Sequence, residues 1–89
     1  MKLKALIADD EPLARERLRF LLSSDEEIEI AGECRNGREV IAALKEERID
    51  VLFLDIQMPG LNGFELLSRL SVQPFVIFTT AYDQHALRA

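Results

Sequence analysis

With 89 residues, 48% of them hydrophobic and 30% charged, the chain has the size of one domain, near the small end of what buries a single core. A net charge of −5 and a pI of about 4.8 argue against nucleic-acid binding through its own surface, and no apolar run approaches the roughly 18 residues of a membrane span. The single cysteine, Cys34, excludes an internal disulfide, and Met1-Lys2-Leu3-Lys4 leads into a strand-like run rather than a secretory signal, so a cytoplasmic protein is expected.

Leu3 to Ala8, apolar apart from Lys4, predicts a strand that ends in Asp9-Asp10-Glu11. Pro12 suits the first position of a helix, where its missing N–H costs nothing. Ala14, Leu18, Leu21 and Leu22 then form an apolar stripe, and Arg15, Arg17 and Arg19 fall on the other side as a solvated face. Glu27 to Glu33 alternates strictly, which predicts a strand with one exposed face near a sheet edge; Cys34 reads as a small apolar filler at its end. Asn36 precedes Glu39 by the capping-box spacing and opens a second helix with Val40, Ile41, Ala43 and Leu44 inward. Ile49 to Leu54 is a fully buried strand stopped by Asp55, with a turn at Met58-Pro59-Gly60. Asn62 and Glu65 start a third helix, Phe75 to Phe78 is a fourth buried strand ending at Thr79-Thr80-Ala81, and Asp83 can cap a fourth helix.

This βα alternation implies a parallel sheet with right-handed crossovers and helices on both faces. Asp9-Asp10, Asp55 and Thr79-Thr80 all end strands at the same edge, where open α/β sheets bind ligands. If the first and third strands are neighbours, three carboxylates converge. Such a group repels itself unless a cation neutralises it, and oxygen-only ligands suit a hard ion such as Mg²⁺. The ion offsets charge on a phosphoryl group, and a carboxylate can serve as nucleophile and carry it. Asp55, alone at the end of the most apolar strand, is the better acceptor, and Thr80 can donate to the phosphoryl oxygens.

Ala8-Asp9-Asp10-Glu11, Leu54 to Gly60 with Asn62-Gly63 following, and Thr79-Thr80-Ala81 together resemble the receiver domain of two-component response regulators, in order along all 89 residues. Asp10 and Asp55 stand 45 positions apart, which suits that layout. The resemblance implies a flavodoxin-like doubly wound sheet of order 2-1-3-4. It implies Asp55 as phosphoacceptor, Thr80 as switch hydroxyl, and Mg²⁺ held by Asp9, Asp10, Asp55 and the Gln57 backbone carbonyl. The implied partner is a sensor histidine kinase. Pro12 to Leu18 and Phe78 to Asp83 resemble receivers joined to LytTR-type DNA-binding domains, so control of transcription through an output domain outside these residues is implied.

Receivers have five strands and five helices, and the phosphate-binding lysine and switch aromatic of the fifth strand have no counterpart in residues 1–89; Tyr82 lies too early. The expectation is an incomplete receiver with an unpaired apolar edge at Phe75 to Phe78, covered by a homodimer or a domain swap. Two alternatives stay open. One is a phosphorylation-independent dimerisation module. The other is an aspartate-nucleophile phosphatase of haloacid-dehalogenase type, although Gln57 stands where that class commonly places a second acid. No separate substrate turnover is expected of a receiver.

Overall fold

A computed structural model describes residues 2–55, 58, 68 and 74–79. Four parallel strands, β1 (Leu3–Ala8), β2 (Ile28–Cys34), β3 (Val51–Asp55) and β4 (Phe75–Thr79), lie in the order β2-β1-β3-β4. Helix α1 (Pro12–Leu22) joins β1 to β2, and α2 (Gly37–Glu46) joins β2 to β3. This is the flavodoxin-like arrangement expected, with the strand order reversing between β1 and β3. Of the expected third helix only Ser68 lies among the described residues, and it is helical. Met1 and the expected fourth helix lie outside them.

The two helices start by different devices. In α2 the Asn36 side chain accepts from the Glu39 amide at 2.9 Å, as the sequence spacing predicts. Glu39 reaches back to the Arg35 amide, one residue before the cap, at 2.8 Å. In α1 the cap residue Glu11 makes no side-chain capping bond. Instead Asp9 Oδ1 accepts from the Glu11 amide at 2.9 Å, an Asx turn that closes the loop before Pro12.

Each face of the sheet buries its own cluster. On the α2 face Leu6, Ala8, Cys34, Val40, Leu52 and Leu54 pack together, with Met58 joining from the turn after β3. On the α1 face Ala5, Val51 and Phe53 are buried beneath Leu18 and Leu22. Leu21, expected in that stripe, is 61% exposed, because the side chains that meet the sheet are Leu18 and Leu22, one turn apart, and Leu21 falls to their flank. At the opposite end from the acids, Asp50 pins the register. Its side chain accepts from the Lys4 amide, its own amide donates to the Lys4 carbonyl, and its carbonyl accepts from Phe75.

Two expectations are corrected. The fourth strand is not buried: Phe75 is 71% exposed, and Ile77 and Phe78 are exposed as well. Among the described residues β4 is an edge strand paired only with β3, so this is the apolar edge the sequence anticipates. Secondly, β2 is not strictly alternating. Its pairing with β1 shifts between Ala5 and Leu6, so that Ile30 pairs with Ala5 but Gly32 with Leu6. Such a shift turns every later side chain to the other face. Glu33 thus pairs with Ile7 and faces α1, and Cys34 pairs with Ala8 and enters the α2 core.

Candidate functional site

The switch in strand order brings the C-terminal ends of β1 and β3 together, with Ala8 paired to Leu54. Asp9 and Asp10 follow the first and Asp55 ends the second. One carboxylate oxygen from each of Asp9, Asp10 and Asp55 lies within 4.8 Å of the others. Asp10 is exposed; Asp9 and Asp55 are half-buried. Thr79 pairs in register with Asp55, so the end of β4 lies beside the same edge. Thr80 and Gln57, expected to supply the hydroxyl and the carbonyl, lie outside the described residues, as do Pro59, Gly60 and Gly63.

The electrostatics favour a cation. The Asp9 carboxyl is pushed above its ordinary pKa, first by burial and also by the charges of Asp55 and Asp10; the Glu11 amide and the Arg15 guanidinium oppose this. Three acids held this close repel one another unless a positive charge neutralises them. Their donors are all oxygen, which suits Mg²⁺ better than a soft transition metal. Asp9 serves the turn with one oxygen, and a carboxylate has a second for a ligand. The residues present therefore fit a hard divalent ion.

Asp9 and Asp55 open onto a cleft of about 370 Å³. Asp9, Asp55 and Thr79 form one end, and Leu13, Leu18 and Leu21 of α1 form an apolar wall. A larger cleft of about 500 Å³ between β2 and α2 is lined by Cys34 and by Glu33, Glu39, Glu46 and Glu47, but among the described residues it is Asp9, Asp10 and Asp55 whose ligand oxygens converge. The Cys34 thiol is poorly suited to chemistry: burial, with the Glu39 charge, pushes its pKa up to about 11.

One participant was misplaced by the sequence pattern. Arg15, assigned to a solvated face, has a side chain only 13% exposed. Its Nη1 donates to the Asp9 carbonyl at 2.7 Å and its Nε to Glu33 at 3.1 Å. The usable signal is its place, one helical turn beyond the acidic loop, where a long side chain can fold back over the strand ends.

Comparison with known proteins bears on the family and the fold. A family model for the response regulator receiver domain matches residues 5–89. The transcriptional regulatory protein BtsR of Salmonella typhi is 52% identical over 89 residues, covering 98% of this chain and 37% of BtsR. The BtsR of Escherichia coli (strain K12) is 51% identical with the same coverage. The chain thus spans little more than a third of the length of these relatives. Among solved structures, the response regulatory domain of mrkE from Klebsiella pneumoniae superposes with a TM-score of 0.80 at 36% identity, covering 98% of this chain and 74% of that one. The signal receiver domain of NarL from Mycobacterium tuberculosis gives 0.84 at 28% identity, covering 97% and 72%.

Proposed function

The chain belongs to the response regulator receiver domain family, and from that premise we propose that Asp55 accepts a phosphoryl group from the phosphohistidine of a sensor histidine kinase, with Mg²⁺ held by Asp9, Asp10 and Asp55. The observation that carries this reading is the convergence of those three carboxylates within 4.8 Å at the sheet edge. A receiver is a signalling module rather than a classical enzyme, so the phosphoryl group stays on the chain as the signal.

A carboxylate oxygen of Asp55 attacks the phosphorus in line. The P–N bond of the donor breaks, its electron pair goes to the imidazole nitrogen, and that nitrogen takes up a proton. When bound, the ion offsets the charge gathered on the phosphoryl oxygens. The chain's own part is placement. The buried run Val51 to Leu54 fixes Asp55, and the Asx turn at Asp9 fixes the other two acids. By the family resemblance, Gln57 would offer its backbone carbonyl to the ion. The Thr80 hydroxyl, one residue beyond the partner of Asp55 in β4, donates to a phosphoryl oxygen and biases the far strands between two conformations.

The relatives' description as transcriptional regulators supports control of transcription by the whole protein, and the resemblance of Pro12 to Leu18 and Phe78 to Asp83 to receivers joined to LytTR-type domains supports an output module of that type outside these residues. A cytoplasmic setting fits a kinase partner, and no helix among the described residues is long and apolar enough to cross a membrane. The phosphatase weighed from the sequence loses its ground to the family match over residues 5–89.

Incubation with a small-molecule phosphodonor and Mg²⁺, read by intact-protein mass spectrometry, is expected to add one phosphoryl group, and Asp55→Asn is expected to abolish it. No adduct would leave the phosphorylation-independent module as the better reading. An adduct that survives Asp55→Asn places the acceptor elsewhere.

A further inference from the structure

The peptide of Asp9 is gripped from both sides. Its amide donates to the Cys34 carbonyl at 3.0 Å, and its carbonyl accepts from Arg15 Nη1 at 2.7 Å. Arg15 is anchored in turn: its Nε donates to one oxygen of Glu33, while the other oxygen accepts from Arg19 Nε at 2.5 Å. Glu33 reaches α1 because of the register shift in β2, which turns it to that face. Under strict alternation it would point the other way, with nothing on α1 to hold.

We propose that Arg15 is a positioning residue for the cation site: anchored on Glu33, it fixes the backbone of the Asp9–Asp10 turn so that those two carboxylates meet Asp55. The inference rests on the reading of the acids as a Mg²⁺ site. Three features support a fixed geometry. Arg15 is largely buried, its planar fork serves two acceptors at once, and Glu33 is shared between two guanidinium groups. Partners that orient metal ligands typically carry about 10-fold or more in metal affinity.

The sign of the effect separates this role from simple electrostatics. As a nearby cation Arg15 repels Mg²⁺, so removing its charge alone would tighten binding. As a positioning residue its removal loosens binding. Mg²⁺ titration of the full chain, followed through backbone amide resonances, is expected to show Arg15→Met weakening affinity roughly 10-fold. Saturating Mg²⁺ should then restore most of the phosphorylation rate. Arg19→Met cuts the outer Glu33 contact but leaves both Arg15 bonds, and should weaken Mg²⁺ affinity less than Arg15→Met does. If Arg15→Met does not fold, Arg15→Lys decides, since it keeps the charge but lacks the planar fork that serves Asp9 and Glu33 together; weaker Mg²⁺ binding is expected there too. Unchanged or tighter binding in Arg15→Met, or in Arg15→Lys where that variant decides, overturns the proposal. A wild-type chain that binds Mg²⁺ and takes up phosphoryl on Asp55 keeps the function in either case. A wild-type chain that binds no Mg²⁺ overturns the site reading, and this inference with it.

Discussion

The two faces of one sheet are built to different standards. The α2 face is close-packed: Leu52 and Leu54 are fully buried beneath Val40, and α2 is held at its start by the Asn36 side chain. The α1 face is looser. No residue of α1 is fully buried, Leu13, Phe20 and Leu21 are exposed, and the acidic cleft opens along it. The difference separates two tasks. One face supplies cohesion, while the other presents like charges that would be costly inside a close-packed interior. The acids sit at the rim of the looser face, where solvent and a cation can reach them.

Truncations should reproduce this asymmetry in urea unfolding. Leu52→Ala is expected to cost about 2–5 kcal/mol, as for other fully buried leucines, whereas Leu21→Ala should stay within about 0.5 kcal/mol. Equal costs would show the faces to be equally packed. Asn36→Ala should lose about 1 kcal/mol through the missing cap. Cys34 gives a pH signature of the packed face. Its folded pKa is raised from 9.0 to about 11, so its contribution to stability is complete below about 9. That contribution declines as pH rises through about 11, because the unfolded chain ionises first. Cys34→Ala should flatten this alkaline decline, and an unchanged decline would assign it to other groups.

Much of the fold was legible because it follows from periodicity. The strand–helix alternation, the Asn36 cap and the run Val51 to Leu54 ending at Asp55 each carry a local signal. The adjacency of β1 and β3 does not; it is a topological fact, supplied in the sequence only by family resemblance. What the pattern misplaced has two causes. A one-residue register shift in β2 reverses the facing of Glu33, and period-two reading has no access to pairing between strands. Arg15 was assigned by its angle around the helix, yet its reach, not its angle, decides what it touches. Both errors concealed the same device, the brace behind Asp9.

The most direct measurement is the Mg²⁺ dependence of unfolding free energy in wild type and in Asp10→Asn. If the three carboxylates form one cation site, Mg²⁺ should stabilise the wild type progressively as its concentration passes the dissociation constant. In metal-free buffer Asp10→Asn should be the more stable protein, because it relieves repulsion within the cluster, and it should respond weakly to Mg²⁺. A wild type indifferent to Mg²⁺, or an Asp10→Asn chain that responds equally, would contradict the cation site at Asp9, Asp10 and Asp55.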